Sequence, residues 1–153
     1  MSRVVASVLG VGYVPVAGGT IASLVATIAG SGLLVLGRGW LAGGALAATA
    51  GGWAAVRRAV PDRSADPSWV VVDEIAGQWI ALLAAPPRSL SGAALAFLLF
   101  RLLDVSKLGP VGWADRQHGA FGVMADDVIA GTMAGALLAV VRVATPGWGG
   151  WRW

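Results

Sequence analysis

Two long stretches of this sequence carry no charged residue, residues 4–37 and residues 39–56. Their lengths match or approach the roughly 20 apolar residues that a helix needs to cross a bilayer. Charged residues make up only 12% of the 153 residues, whereas a soluble domain has about 25%. The sequence therefore predicts a polytopic membrane protein, because a soluble fold of this size could not bury so much apolar surface.

The apolar runs predict an all-α fold, a membrane helical bundle that forms a single domain over residues 1–153. We expect about five membrane-embedded helices, at residues 20–37, 39–57, 69–85, 90–107 and 126–144, after a Gly- and Pro-containing segment at 4–19. The apolar N-terminus resembles a signal peptide, but further apolar segments follow it and we expect it to be retained. Small residues recur every fourth position in the second helix, starting from both Gly43 and Gly44, and predict close helix packing.

All eight acidic residues lie between Asp62 and Asp127. A charge at the centre of a bilayer costs about 2.5–3.5 kcal/mol on insertion scales, so an acid in a membrane helix points to function. We interpret Asp62 and Asp66 as loop charges beside Arg63, and we assign no role to Asp115. The remaining five are the candidate functional acids: Asp73, Glu74, Asp104, Asp126 and Asp127.

The basic residues predict which way the helices run, because Lys and Arg favour cytoplasmic loops. Arg57, Arg58 and Arg63 place loop 57–68 in the cytoplasm, and loop 108–125 follows on the same side. We therefore expect the start of the third helix, the end of the fourth and the start of the fifth to meet there, with all five acids. The net charge of +3 is too small to indicate nucleic-acid binding.

Two short segments share one pattern, Asp73-Glu74-Ile75-Ala76-Gly77 and Asp127-Val128-Ile129-Ala130-Gly131. An Asp and a Gly four residues apart share a helical face, so each acid is expected one turn from a spot where another helix can pack. Chance explains the similarity equally well in a chain rich in Ala and Gly. Asp73 and Glu74 also suit any helix N-terminus, where negative charge is favourable, but their apolar neighbours favour a functional role.

Arg101, Asp104 and Lys107 are spaced by three and therefore share a helical face. One interpretation is a simple ladder of ion pairs. The one we favour is a metal-binding Asp between two cations that hold phosphate oxygens, Arg101 through paired hydrogen bonds and Lys107 as a point charge. Thr20 follows two glycines and is either a helix N-cap or a further phosphate ligand.

The Gly-rich segment that ends at Asp126 and Asp127 contains His118, which is the one histidine of the sequence. A lone loop histidine more often makes a structural hydrogen bond than binds a ligand, but His118 is kept as a candidate for binding substrate phosphate. With one histidine and no cysteine, the sequence excludes two-histidine and thiol phosphatases. What remains for a phosphate substrate is metal-assisted attack on phosphorus, and Mg²⁺ held by a few carboxylates is the fitting ion.

Together these motifs resemble the phosphatidylglycerophosphatase A family over residues 18–135. The matching segments are the Gly-Thr step at 19–24, the Asp-Glu core at 71–79, the Phe-Arg segment at 100–110 and the His-Gly segment at 115–131. The chain departs from the family pattern after Lys107, where a proline is missing, and after His118, where the second glycine is replaced by Ala120. The loop before His118 is also one residue short. These departures affect the loop and leave the carboxylates untouched.

The resemblance implies a Mg²⁺-dependent phosphatase of the bacterial inner membrane, with its active site facing the cytoplasm. It would convert phosphatidylglycerophosphate to phosphatidylglycerol, a cardiolipin precursor. The predicted catalytic residues are Asp73, Glu74, Asp104 and Asp127. The predicted Mg²⁺ ligands are these four and Asp126, and the predicted phosphate-binding residues are Arg101, Lys107, Thr20 and His118.

Two other classes of function would use the same acids. A small cation transporter would spread its acids across the depth of the membrane, whereas here the predicted positions gather at one end. A purely structural membrane module leaves the cost of five carboxylates unexplained. The expected partner is therefore a phospholipid substrate whose acyl chains stay in the bilayer between the helices.

Overall fold

The structure is a computed structural model that describes residues 1–13, 18–60 and 67–146. The regular elements in these ranges are all helical, as the sequence predicts. The helices are α1 (Ser2–Ala6), α2 (Gly18–Leu36), α3 (Arg38–Ala59), α4 (Val72–Leu82), α5 (Leu90–Ser106), α6 (Pro110–Asp115) and α7 (Gly119–Ala144), with a 3₁₀ turn at Val11–Tyr13. The predicted loop charges Asp62, Arg63 and Asp66 lie outside the described residues.

Two helices, α2 and α7, are long and apolar enough to cross a membrane, and both expose large apolar side chains. Of the about five membrane-embedded helices expected, two are clear candidates for membrane spans in the described ranges. α4 has 11 residues and α5 has 17, and both are shorter than the roughly 20 residues that span a bilayer. α3 has 22 residues, but its Ala/Gly-rich middle and its terminal arginines make it less apolar. The exposed apolar faces of α2 and α7 indicate a membrane protein.

The short helix α4 lies at the centre of the bundle, where it packs against α2, α3, α5 and α7. Eight of its 11 residues are buried. The turn that follows α4 is held by two arginines from other helices: Arg38 of α3 donates to the carbonyl of Ala85 at 3.1 Å, and Arg142 of α7 donates to the carbonyl of Ala84. The acids of α4 lie in its first turn, whereas the two arginines lie beyond its last turn. The bundle therefore has an acidic end and a basic end.

α4 and α7 cross in direct backbone contact at two glycines. A methyl group added to Gly131 would lie 2.1 Å from the carbonyl oxygen of Gly77, and one added to Gly77 would lie 2.5 Å from the carbonyl oxygen of Asp127. These glycines end the two Asp-x-Ile-Ala-Gly segments, so the predicted packing spots are confirmed, and they pack on each other. Asp73 lies one turn before Gly77, and Asp127 lies one turn before Gly131. The contact between the two glycines therefore brings these two acids close together.

We expect Gly131→Ala to destabilise the bundle, because the added methyl group meets backbone that cannot rotate away. The expected loss is about 1–3 kcal/mol, the usual cost of overpacking. Gly43→Ala is the matched control, since no heavy atom lies within 4 Å of its added methyl group. Ala has the better helix propensity, so this control should keep or raise stability. Thermal unfolding in detergent measures both variants, and an unchanged unfolding temperature for Gly131→Ala would contradict the crossing.

The small residues of α3 behave differently on its two faces. Gly44 and Gly52 lie against side chains of α4 and α7, as close packing requires. Gly43 and Gly51 face no heavy atom within 4 Å. One of the two predicted small-residue faces therefore packs within the described part of the chain, and the other does not.

α7 begins at Gly119 rather than near residue 126. Asp126 and Asp127 therefore lie about two turns inside a helix, and the prediction that they begin the fifth helix is wrong. Gly122 serves close packing instead of a loop, since a methyl group there would lie 2.0 Å from the carbonyl oxygen of Gln117. The predicted loop 108–125 is largely replaced by α6 and the first turns of α7.

Candidate active site

Seven charged side chains line one cavity of about 420 Å³ at the acidic end of the bundle. They are Asp73 and Glu74 of α4, Arg101 and Asp104 of α5, Lys107 at the end of α5, and Asp126 and Asp127 of α7. The four aspartates are at most 9% exposed, so their carboxylates meet largely out of solvent. Five acidic groups in so small a space repel one another unless cations join them.

The first turn of α4 presents its two acids in different directions, because neighbouring helical residues diverge by about 100°. Oδ1 of Asp73 accepts a hydrogen bond from the backbone N–H of Glu74 at 3.0 Å, so this oxygen satisfies a free amide at the helix start. Glu74 points toward α2, where a methyl group on Gly19 would lie 2.1 Å from its Oε1. Glycine at position 19 therefore leaves the room that this carboxylate needs. The other oxygen, Oε2 of Glu74, is buried without a hydrogen-bond partner among the described residues.

Carboxylate oxygens of the cavity form two groups of three, and the oxygens of each group lie within 4.8 Å of one another. The first triad is Asp73, Glu74 and Asp127, and the second triad is Asp104, Asp126 and Asp127. Asp127 belongs to both because α7 packs against both α4 and α5. Mg²⁺ binds oxygen ligands at about 2.0–2.1 Å in octahedral geometry, so either triad has the donor atoms and the spacing to hold one ion.

Lys107 already supplies a cation to the second triad. Its Nζ donates to Oδ1 of Asp104 at 3.0 Å and to Oδ2 of Asp126 at 2.6 Å, and it lies 3.4 Å from Oδ1 of Asp115. The residue ends α5 in the left-handed conformation, with φ at 49°, which costs an L-residue about 1–2 kcal/mol. Burial lowers the pKa of Lys107, but hydrogen bonds and charges from Asp126 and Asp104 outweigh burial and raise its pKa above the ordinary value. The ammonium group therefore stays charged.

Arg101 binds the other side of Asp104. Its Nη1 lies 2.6 Å from Oδ2 of Asp104, and its Nη2 donates to Oγ1 of Thr20 at 3.3 Å. The ladder of ion pairs predicted from the spacing of Arg101, Asp104 and Lys107 is thus confirmed. Asp73, Glu74 and Asp127 of the first triad, by contrast, make no ion pair within 4 Å in the described ranges. The first triad is therefore the place where a further cation would relieve most repulsion.

The structure brings seven of the predicted site residues into the cavity and leaves two outside its lining. Thr20 is exposed and contacts the site through Arg101. His118 precedes α7 and lines a separate cavity of about 380 Å³ with Trp53, Arg57 and Phe121. The role of His118 in binding phosphate stays a prediction.

Two contacts of the site have no signal in the sequence. Lys107 reaches Asp126 across 19 positions, which depends on how the end of α5 meets α7. Asp115, to which the sequence assigns no role, adds a third and more exposed carboxylate beside Lys107. Its place follows from the packing of α6 on α7 rather than from any residue spacing.

The fold and the site define a class of protein: a helical membrane protein with a buried acidic cavity edged by cations. Carboxylate oxygens in groups of three can hold a hard divalent cation, and a guanidinium and an ammonium group can hold phosphate oxygens.

The model of the family described as Phosphatidylglycerophosphatase A matches residues 4–142. The chain therefore belongs to the phosphatidylglycerophosphatase A family, and the resemblance seen in the motifs is confirmed.

Curated relatives match half of the chain or less. Phosphatidylglycerophosphatase A of Escherichia coli (strain K12) is 41% identical over 70 residues, which are 45% of this chain and 41% of the relative. A Bacteroides thetaiotaomicron protein provisionally named a phosphatidylinositol-3-phosphatase is 47% identical over 79 residues, half of each chain. Phosphatidylglycerophosphatase A of Haemophilus influenzae is 39% identical over 66 residues, 42% of this chain and 40% of the relative. The matches thus span half or less of these relatives. No solved structure matches the chain.

Proposed function

We propose that this protein is a Mg²⁺-dependent lipid phosphatase that hydrolyses phosphatidylglycerophosphate to phosphatidylglycerol and phosphate. The observation that carries the proposal is the cavity itself, in which three helices bring five carboxylates beside Arg101 and Lys107. The proposal also rests on membership of the family named for this activity. We further propose that the acidic end of the bundle faces the cytoplasm and that the chain crosses the bacterial inner membrane more than once.

The charge of the cavity explains why a divalent cation belongs to the reaction. If all five carboxylates were ionised, they and the two cations would leave a net charge of three negative units, which repels a phosphate group. The fit of Mg²⁺ is supported by the two triads and by the unpartnered Oε2 of Glu74. Bound Mg²⁺ would be held by Asp73, Glu74 and Asp127, or by Asp104, Asp126 and Asp127. It would polarise phosphate oxygens and make bound water more acidic.

Arg101 and Lys107 are the residues that bind the phosphate group. Both now pair with Asp104, and Arg101 is 18% exposed and Lys107 32% exposed at the side chain, so each presents N–H donors to the cavity. Their hydrogen bonds to phosphate oxygens would be charge-assisted, which makes them short and strong. Thr20 holds the guanidinium of Arg101 from the side of α2 and contributes to phosphate binding through it.

Hydrolysis of a phosphate monoester requires a water oxygen to attack phosphorus while the bond to the glycerol oxygen breaks. A carboxylate of Asp73, Glu74, Asp104 or Asp127 takes the proton of the attacking water, and the carboxyl group so formed gives this proton to the glycerol oxygen as it leaves. The apolar flanks of α2 and α7 keep the acyl chains in the bilayer while the headgroup enters the cavity.

The substrate is tested with purified protein and two lipids that differ in headgroup. We expect release of inorganic phosphate from phosphatidylglycerophosphate at a higher kcat/KM than from phosphatidylinositol 3-phosphate, the lipid class named for one relative. Phosphate release from neither lipid, by a folded protein supplied with Mg²⁺, would refute the proposed function. The cation-transporter alternative has no support, because the five acids share one cavity instead of following a path across the bundle.

A further inference from the structure

Gln78 is a buried amide with no hydrogen-bond partner among the described residues. The residue lies on α4, is fully buried, and has neither its amide oxygen nor its amide nitrogen in a hydrogen bond within the described ranges. Buried polar side chains are nearly always satisfied, and an apolar side chain of the same shape would be more favourable here than an unpaired amide. Gln78 therefore calls for a reason other than packing.

The neighbours of Gln78 show that this interface otherwise satisfies its polar groups. The indole of Trp79 donates to the carbonyl of Ala26 on α2 at 2.9 Å. On the facing helix, the hydroxyls of Ser23 and Thr27 donate to carbonyls of α2 itself at 2.8 and 2.7 Å. The lack of a partner at Gln78 therefore does not extend to these neighbouring polar groups of α2 and α4.

One other buried side-chain atom shares this condition. Oε2 of Glu74 also lacks a hydrogen-bond partner among the described residues. Glu74 and Gln78 are four residues apart on one helix, so they stand on the same face with about 5–6 Å between their Cβ atoms. A donor without an acceptor and an acceptor without a donor are therefore neighbours, one turn apart, and Glu74 lines the acidic cavity.

We propose that Gln78 is a positioning residue for Glu74. Its amide nitrogen donates to one bridging water, which donates in turn to Oε2 of Glu74, and this bridge holds the carboxylate in place for a divalent cation at the first triad. The inference rests on the proposed function, because it gives the first triad a cation to bind. Partners that orient ligands of a metal in this way commonly change metal affinity or activity by about 10–100-fold when they are removed.

Gln78→Met tests the proposal, since Met has a similar length and no hydrogen-bond donor. The protein is titrated with Mg²⁺ and its thermal unfolding is followed, so that metal binding is measured without substrate. We expect the Mg²⁺ concentration that gives half of the full rise in unfolding temperature, the Mg²⁺ midpoint, to increase about 10–100-fold. Without metal, the unfolding temperature of the variant should equal or exceed that of wild type. The concentration of Mg²⁺ that gives half-maximal phosphate release should rise in parallel.

Leu82→Met is the matched control, because Leu82 is fully buried one turn further along the same face of α4 and contacts α2 at Gly30. It repacks the same interface and should leave the Mg²⁺ midpoint unchanged. Gln78→Asn keeps the amide but is one methylene shorter, so it should give an intermediate midpoint, and it carries the test if the Met variant does not fold.

The outcomes separate the two proposals. A wild-type midpoint in Gln78→Met, in a protein that binds Mg²⁺ and releases phosphate, would overturn the role of Gln78 alone. A drop in metal-free stability with an unchanged midpoint would show that Gln78 is merely structural and would overturn it too. If the wild-type protein itself neither binds Mg²⁺ nor releases phosphate, both proposals fail together.

Discussion

Asp127→Asn is expected to lower the rate of phosphate release by on the order of a thousandfold, comparable with the larger losses seen when one electrostatic group is removed from an active site. Asp127 is the residue shared by both triads, so its replacement removes a carboxylate ligand from each. The amide of Asn keeps the shape of the side chain but loses its charge. Either triad is then left with two carboxylates.

The same substitution should not unfold the protein. Asp127 is only 3% exposed and stands among four other carboxylates, and removing one charge relieves repulsion among those that remain. We expect an unfolding temperature equal to or above that of wild type. Asp115→Asn is the matched control, because Asp115 is 42% exposed at the side chain and contacts the site only at its rim, 3.4 Å from Lys107. Asp115→Asn should lower phosphate release far less than Asp127→Asn does. Near-wild-type turnover in Asp127→Asn would refute the acidic cavity as the active site.

Removal of divalent cations is expected to abolish phosphate release, and added Mg²⁺ should restore it. The reason is electrostatic. The cavity brings five acidic side chains together with two basic ones, and the first triad has no ion pair in the described part of the chain. The measurement is phosphate release after treatment with a chelator, followed by titration with Mg²⁺. Activity that persists in the chelator would show that the residues work without a metal ion.

Metal binding should also be visible without substrate. An ion that binds only the folded protein stabilises it by about 2.7 kcal/mol at a concentration one hundred times its dissociation constant. We expect Mg²⁺ to raise the unfolding temperature of the wild type and to have little effect on Asp127→Asn. A sodium salt of matched ionic strength is the control, because general screening also weakens repulsion between carboxylates.

Local spacing predicted the parts of the site that lie on single helices. Arg101, Asp104 and Lys107 share a face because they are three residues apart, and the structure shows both ion pairs. Gly77 and Gly131 were expected to be packing spots one turn after an acid, and they are. These inferences hold because helix geometry fixes the relation between residues three and four apart, whatever surrounds the helix.

Features that depend on packing between helices were not predictable from the sequence. The link from Lys107 to Asp126 arises where the end of α5 meets α7, and the position of His118 in a separate cavity arises from the contact of α7 with α3. The start of α7 was misplaced because glycines 119 and 122 suggested a loop, whereas close contact with the preceding turn is what Gly122 provides. Two helices of the described ranges are long and apolar enough to span a membrane, and the sequence does not single them out because hydrophobicity alone does not distinguish a lipid-facing helix from a short buried one such as α4.

The contact between Gly77 and Gly131 limits how this protein can change during evolution. An enlarged side chain in a core is often tolerated after a neighbouring side chain becomes smaller, but here the nearest neighbour is a backbone carbonyl group, that of Asp127 for Gly77 and that of Gly77 for Gly131, which no side-chain substitution removes. A substitution at either glycine therefore has no single compensating substitution at the other. Because the same crossing sets the separation of Asp73 and Asp127, a lineage that lost either glycine would have to reposition two helices before it regained the geometry of its acids.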